Sequence, residues 1–172
     1  NLSQNISEQA WMAANECNLI LFLVDGSENL TSEDFDILSS LRKLNKPFVT
    51  LLNKSDKTSK SEALNDISSK GIKDYLDISA EHSRGLDDLK KLLIKMLPEK
   101  TDEIVPDGKK IAVLGRPNAG KSTFINNFIK EDRLVVSEVA GTTIDAIRIP
   151  FAIDGNEFVF IDTAGIRKGY KQ

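Results

Sequence analysis

Short runs of branched and aromatic apolar residues alternate along this chain with segments of helical periodicity. Six runs have the composition of strands, at residues 19–24, 48–52, 75–78, 110–114, 147–153 and 157–161. Strands that alternate with crossover helices form parallel sheets covered by helices on both faces. The last two runs flank Asp154 and Gly155, a pair typical of a tight hairpin turn. The pattern therefore predicts an α/β fold with a mostly parallel six-stranded sheet.

Four segments between these runs indicate helices. They are expected at residues 32–44, 60–70, 86–96 and 121–129. Thr31 is a suitable N-cap for the first of them, and Pro47 follows its end. Residues 98–109 are rich in Pro, Gly, Asp, Glu and Lys without an apolar period, which is typical of a linker. No element is predicted before residue 19, and both ends of the chain are expected to be mobile.

Composition narrows the classes of protein that fit. A length of 172 residues is that of one domain with a substantial core. The net charge of −3 and the isoelectric point near 5.3 argue against a general nucleic-acid surface and against sequence-specific DNA binding. Cys17 is the single cysteine, which excludes an intrachain disulfide. The longest apolar run is far too short to span a membrane, and no basic-then-apolar leader opens the chain, so a cytoplasmic location is expected.

The strongest motif lies between a predicted strand and a predicted helix. Residues 115–122 read GRPNAGKS and complete the pattern GxxxxGK[ST]. Glycines let backbone N–H groups curl around phosphates, and the positive end of the following helix points at the same charge. Lys121 is expected to contact the β and γ phosphates of a nucleotide, and the Ser122 hydroxyl to bind Mg²⁺. The nucleotide-binding residues expected here are Asn118, Ala119, Gly120, Lys121, Ser122 and Thr123.

Two segments further along supply the remaining phosphate and metal ligands. Asp162 opens the sequence DTAG directly after a predicted strand, where Mg²⁺-binding acids of this class lie, and Gly165 closes it as a further nucleotide contact. Thr143 lies in an irregular stretch from which it is placed to reach the metal and the γ phosphate. The expected magnesium ligands are Ser122, Thr143 and Asp162, and the expected catalytic residues are Lys121 and Thr143.

The base of the nucleotide is expected to be recognised upstream, where residues 53–56 read NKSD after a predicted strand. The Asp56 carboxylate offers two acceptors to the N1–H and N2–H donors of guanine, whereas adenine presents an acceptor at N1 and no amine at C2. Lys54 is expected to lie along the base plane, and Asn53 to connect this loop with the phosphate loop. Further base contacts are expected from Ser79 and Ala80.

Together these motifs resemble those of the GTPases of the translation-factor class, and most closely the bacterial double-Era-like GTPases. That family carries two tandem G domains and a terminal KH-like domain. The resemblance rests on GRPNAGKS at 115–122, AGTTID at 140–145, DTAGIR at 162–167, NKSD at 53–56 and SAE at 79–81, and it covers nearly the whole chain. It implies a P-loop G-domain fold, binding of GTP or GDP with Mg²⁺, slow GTP hydrolysis, and a role in assembly of the large ribosomal subunit.

The order of the motifs is unusual, because NKSD and SAE precede the phosphate loop. One interpretation is a segment of a tandem protein that joins the second half of one G domain, residues 1–97, through a linker at 98–109 to the first half of the next, residues 110–172. The alternative is a naturally permuted GTPase of the YlqF and YjeQ type. Either way, one sheet in circularly permuted order is expected, with strand 110–114 beside strand 19–24, within one chain or by exchange between two chains in a domain-swapped dimer.

Two functions remain open at this stage. One is a GTPase, and the other is a nucleotide-sensing binding module without useful catalysis. Ile166 stands where relatives of the Ras type carry a water-orienting glutamine, so hydrolysis is expected to be slow. Asn118 matches the asparagine that potassium-dependent relatives use as a ligand, which makes it the expected K⁺ ligand. His82, the only histidine, is expected to be a solvated loop residue.

Overall fold

The structure of the protein is a computed structural model that describes residues 6, 8–57, 60–97, 108–131 and 148–161, without the side chains of residues 60–62 and 131. Five helices and six strands lie within these residues. The helices are α1 (Glu8–Glu16), α2 (Ser32–Lys43), α3 (Lys60–Ser69), α4 (Leu86–Met96) and α5 (Lys121–Glu131). The strands are β1 (Leu19–Asp25), β2 (Phe48–Asn53), β3 (Tyr75–Asp77), β4 (Lys109–Leu114), β5 (Arg148–Ile153) and β6 (Asn156–Ile161).

All six strands form one sheet in the order β3-β2-β1-β4-β6-β5. Every neighbouring pair is parallel except β5 and β6, which form an antiparallel hairpin. Asp154 and Gly155 at its turn have φ angles of 49° and 81°, the positive values that tight hairpin turns require. The predicted α/β class and the mostly parallel six-stranded sheet are confirmed.

Strand β1 lies in the middle of the sheet and is buried along its whole length, which explains why its sequence is apolar without alternation. Leu21 pairs with Val49 of β2 on one side and with Val113 of β4 on the other. The expected neighbours, β1 and β4, therefore lie side by side within one molecule. The strands from residue 109 onward continue the sheet that the strands before residue 97 begin.

Helices cover both faces of the sheet, and successive residues of β1 point into opposite hydrophobic clusters. One cluster contains buried side chains of α4 and α5, among them Leu86, Leu89, Leu93, Phe124 and Phe128. The other contains side chains of α1, α2 and α3, among them Trp11, Ile37, Leu41, Ala63 and Ile67. Each fully buried leucine, isoleucine or phenylalanine among them stabilises the fold by about 1.5–3 kcal/mol relative to exposure.

Aromatic packing fixes the helix that begins at the phosphate loop. Phe128 of α5 contacts Phe151 and Phe160 of the hairpin, with ring centroids 5.4 and 5.6 Å apart. Phe151 and Phe160 stack on each other at 4.6 Å. Edge-to-face and offset ring pairs of this kind add to the apolar burial. Strands β5 and β6 therefore hold α5 against the sheet, and this packing positions its first turn next to the phosphate loop.

The described residues differ from the prediction at the N-terminal side. Residues 8–16, expected to be a mobile end, form helix α1, whose Trp11 and Ala14 are buried against the sheet. The expectation was wrong because nine residues with a weak apolar period give little local signal, and packing stabilises the helix. Residues 162–172 lie outside the described residues. Among the described helices, none is long and apolar enough to cross a bilayer.

Candidate functional site

The phosphate loop connects the end of β4 to the start of α5. Gly115 leaves the strand at a point where a Cβ atom would overlap the carbonyl oxygen of Leu23 in β1. Asn118 and Gly120 have φ angles of 68° and 100°, so the loop curls back before the helix begins. The backbone N–H of Phe124 then donates to Gly120 at 2.8 Å and starts the first helical turn. The loop thus places a helix N-terminus at its mouth, which is an arrangement suited to phosphate.

Lys121 and the two residues after it lie at this mouth. The Lys121 ammonium donates to the carbonyl oxygen of Gly115 at 2.6 Å and so closes the loop across its base. Ser122 and Thr123 are exposed, so their hydroxyl groups are accessible to a ligand. An ammonium group at a helix N-terminus is suited to binding phosphates. The oxygen of an exposed hydroxyl group beside it is suited to a hard cation such as Mg²⁺.

Asn53 connects three loops at the end of β2. Its side-chain nitrogen donates to the carbonyl oxygen of Ala119 in the phosphate loop at 2.9 Å. Its side-chain oxygen accepts from the backbone N–H of Ala80 at 3.0 Å. The residue is 3% exposed, so both bonds are shielded from water. The predicted link between the two loops is therefore present within one molecule.

Lys54 lies next to Asn53 with a positive φ of 63°. Its ammonium pairs with the carboxylate of Asp25 at 2.8 Å and lies 3.4 Å from the carbonyl oxygen of Asn118. Ser27 donates to the same carboxylate through its backbone N–H and its hydroxyl. Burial by itself raises the pKa of Asp25, but the hydrogen bonds from Lys54 and Ser27 outweigh it and leave the pKa below its ordinary value. Asp25 therefore stays ionised as the anchor of Lys54.

Asp56 presents its carboxylate beside the loop that follows β3. The Ser79 hydroxyl donates to one oxygen at 2.8 Å, and the Nε2 atom of His82 lies 3.3 Å from the other. The hydrogen bond from Ser79 is the main reason that the pKa of Asp56 lies below its ordinary value. His82 is half-exposed as expected for a loop residue, but it contacts Asp56, which the sequence did not indicate.

A cavity of about 250 Å³ opens between these loops. Its lining residues are Asn53, Lys54, Asp56, Lys57, Ser79, Glu81, Gly120 and Thr123. Six of these eight were expected to bind a nucleotide, while Lys57 and Glu81 were not. Ala80, Asn118 and Ala119 lie next to it, because each is hydrogen-bonded to Asn53 or Lys54 of its wall. Lys121 directly follows Gly120, another residue of the wall. Thr143, Asp162 and Gly165, the other expected ligands, lie outside the described residues.

Arg116 anchors the phosphate loop from its outer side. Its guanidinium pairs with Glu28 in the loop after β1, and its Nε atom lies 3.4 Å from the carboxylate of Asp34. Asp34 is almost fully buried and belongs to the capping box that Thr31 opens at the start of α2. Sequence reasoning missed this contact because Arg116 occupies a position that the phosphate-loop pattern leaves open.

Comparison with known proteins agrees with this site. The family described as "50S ribosome-binding GTPase" matches residues 110–172. A GTPase Der of Geotalea daltonii is 42% identical over 168 residues, which are 97% of this chain and 38% of that protein. A GTPase Der of Legionella pneumophila is 44% identical over 95% of this chain and 36% of its own length. A GTPase Der of Xanthomonas campestris is 42% identical over 94% of this chain and 36% of its own length.

The sheet, its flanking helices and the phosphate loop define a P-loop G-domain fold, as predicted, and the relatives that match this chain carry the name GTPase. More particularly, about 95% of the chain is similar to a segment of GTPase Der, so the predicted resemblance to the double-Era-like GTPases is confirmed. The chain spans somewhat more than a third of the length of the curated relatives that it matches.

Proposed function

We propose that this chain binds GTP or GDP in the cavity between the phosphate loop and the NKSD loop. The observation that carries the proposal is the double hydrogen bond of Asn53 to Ala119 and Ala80. Through it, the loop suited to phosphate and the loop suited to guanine share one cavity. The phosphate end lies at Gly120 and Thr123, and the base end lies at Asp56 and Ser79.

Guanine selectivity at the base end comes from Asp56. Its carboxylate is held ionised, and each oxygen can accept from one of the two N–H donors of guanine. Adenine offers no matching pair of donors, so the lone pairs of Asp56 that face the base would lose water without gaining a hydrogen bond. The Lys54 stem lies along the cavity wall and provides an apolar surface for the base, while its ammonium stays on Asp25.

At the phosphate end, Lys121 and the first turn of α5 hold the β and γ phosphates. Ser122 would hold the magnesium ion together with Thr143 and Asp162, and Gly165 would be a further nucleotide contact. When bound, Mg²⁺ offsets the charge on the phosphate oxygens during transfer. The chain has isoleucine at position 166 instead of a water-orienting glutamine, so we expect GTP hydrolysis to be slow.

Asn118 is our candidate ligand for a monovalent cation. It lies in the phosphate loop with a positive φ, and the loop carries the residues that bind the phosphates. A K⁺ ion there would offset γ-phosphate charge in place of a side chain. GTP hydrolysis should therefore be faster in K⁺ than in Na⁺ at equal ionic strength. Equal rates in the two salts would contradict this assignment.

Residues 1–97 and 110–172 act, in this proposal, as two half-domains that build one G-domain sheet in permuted order, with 98–109 as the linker. The pairing of β4 with β1 supports it, because this pair joins the halves at the centre of the sheet. Exchange of halves between two chains is the alternative arrangement. Light scattering separates the two, since exchange gives a dimer and pairing within one chain gives a monomer.

The cellular role follows from the relatives. Because one matching family is described as 50S ribosome-binding GTPase, we propose a cytoplasmic role in assembly of the large ribosomal subunit. The second candidate is a nucleotide-sensing module without useful turnover. Measuring GTP turnover with and without large ribosomal subunits distinguishes them, because an enzyme of this kind turns over GTP and a pure sensor does not.

Nucleotide competition tests the central proposal. GDP and GTP should displace a fluorescent guanine nucleotide from the 172-residue chain, while equal ATP should not. Asp56→Asn should weaken GDP binding by about 100-fold and shift preference toward xanthine nucleotides, because the amide can donate to the added carbonyl group. Displacement by ATP within about tenfold of GTP would contradict guanine recognition.

A further inference from the structure

We propose that His82 is a positioning residue for base recognition, which holds the Asp56 carboxylate in the orientation that guanine requires. The inference rests on the proposed function, since it assigns a role within the same site. The Nε2 atom of His82 lies 3.3 Å from the Oδ2 atom of Asp56.

The torsion that turns an aspartate carboxylate is soft, because it lies between an sp³ and an sp² carbon. A single partner on one oxygen leaves the carboxylate plane free to swing. In this site the Ser79 hydroxyl occupies Oδ1 at 2.8 Å and His82 faces Oδ2, so each oxygen of Asp56 has its own partner. Two partners on two oxygens fix the plane. Each oxygen keeps a second lone pair for a donor of the base.

The loop that carries His82 is itself rigidly held. Ser79 and Arg84 exchange two backbone hydrogen bonds of 3.0 Å, which close the loop at its base. Gly85 follows with a φ of 76°, at a position where a Cβ atom would overlap the carbonyl oxygen of Asp77. His82 therefore approaches Asp56 from a fixed backbone, which a positioning contact needs.

His82 supports Asp56 from outside the cavity. The cavity is lined by Asp56 and Ser79 but not by His82, whose side chain is 52% exposed against 17% for Asp56. The imidazole thus acts through Asp56 and does not touch the base. Arg84 is an exposed cationic residue of the same loop and is not among the residues that line the cavity, so it provides a comparison for the loss of a positive side chain near His82.

This geometry predicts a loss of selectivity, which differs from a general loss of binding. Inosine diphosphate (IDP) lacks only the amine at C2 of guanine, so the ratio of the IDP and GDP dissociation constants measures how well the second carboxylate oxygen is used. A swinging carboxylate lowers that ratio. Damage to the fold or to the phosphate loop weakens both nucleotides alike and leaves the ratio unchanged.

The experiment measures GDP, IDP and ADP binding to the 172-residue chain and to four variants, His82→Ala, His82→Asn, His82→Gln and Arg84→Gln. Glutamine places its amide nitrogen close to where Nε2 lies, whereas asparagine is too short. We expect the IDP-to-GDP ratio to fall by about three- to tenfold in the alanine and asparagine variants. We expect it to stay near the wild-type value in His82→Gln and Arg84→Gln.

The outcomes separate this inference from the proposed function. If the wild-type chain binds GDP selectively but the ratio is unchanged in His82→Ala and His82→Asn, only the role of His82 is overturned. A fall in His82→Gln as large as in His82→Ala also overturns it. If the wild-type chain shows no preference for GDP over ADP, both the proposed function and this inference fail.

Discussion

The two ends of the cavity are built by different means. At the phosphate end, the loop is shaped by backbone, with Gly120 at a φ of 100° and the Lys121 ammonium on a backbone carbonyl group. At the base end, polar side chains hold one another, as in the Ser79–Asp56 and Lys54–Asp25 pairs. Asn53 belongs to both, since its amide joins Ala119 and Ala80. Added volume should therefore damage the phosphate end, whereas altered polarity should damage the base end.

The largest effect is expected for Gly120→Ala. A Cβ atom there would overlap the Asn53 amide, and alanine is strained at this φ. The loss of the two Asn53 hydrogen bonds adds to that strain. The free energy of unfolding should therefore fall by about 2–4 kcal/mol. Urea denaturation measures the change. A loss confined to nucleotide affinity, with unfolding unchanged, would show that backbone shape at this end is less constrained than the structure indicates.

Gly155→Ala is the matched control for that variant. Gly155 has a comparable φ of 81° in the β5–β6 turn, but nothing lies within 4 Å of an added Cβ atom. Only backbone strain remains, so we expect a cost of about 1 kcal/mol. Equal costs at the two glycines would mean that the contact with Asn53 contributes little.

Lys121→Ala should weaken nucleotide binding without changing selectivity. The lost ammonium contacts phosphate groups that all nucleoside diphosphates share, and a hydrogen bond to a charged group contributes about 1.5–3 kcal/mol. Affinity should therefore fall by about 10- to 150-fold for GDP and IDP alike. Calorimetric titration with both ligands checks this. A change in the GDP preference itself would contradict the separation of the two ends, because selectivity belongs to Asp56.

The sequence predicted well those features that local patterns encode. The apolar run of β1 predicted a strand buried on both faces, and GRPNAGKS predicted a loop between a strand and a helix. Asn53 was expected to connect the two loops, and its hydrogen bonds do so. Strand alternation was enough to predict the class of fold.

Features that depend on distant partners could not be predicted. Arg116 pairs with Glu28, 88 positions earlier in the chain, so no spacing rule reveals the contact. Helix α1 is stabilised by burial of Trp11 against the sheet, and nine residues of weak periodicity do not predict it. His82 looked like an isolated polar residue because its partner, Asp56, precedes a different helix. Tertiary packing decides these three cases.

The smallest change in stability is expected for Asp25→Asn, which removes the carboxylate that anchors Lys54, and this change depends on pH. The pKa of Asp25 lies below its ordinary value in the folded chain, because the hydrogen bonds from Lys54 and Ser27 outweigh burial. The unfolded chain therefore takes up a proton first as pH falls, at about pH 4. The stability that Asp25 contributes is present above that pH and is lost as pH falls through the lower, folded pKa. Asp25→Asn should thus be less stable at pH 7 and should lose less on acidification than the wild type.

Urea denaturation midpoints at pH 7, 5, 4 and 3.5 measure how stability depends on pH. Asp36→Asn is the control. Asp36 is an exposed carboxylate on α2, so its replacement removes the same charge without removing a buried ion pair. Asparagine at position 25 can still accept the Ser27 bonds through its amide oxygen, which isolates the loss of Lys54. The stability difference at pH 7 should be about 1 kcal/mol. If both variants depend on pH as the wild type does, the Asp25–Lys54 pair does not contribute to the stability of the base end.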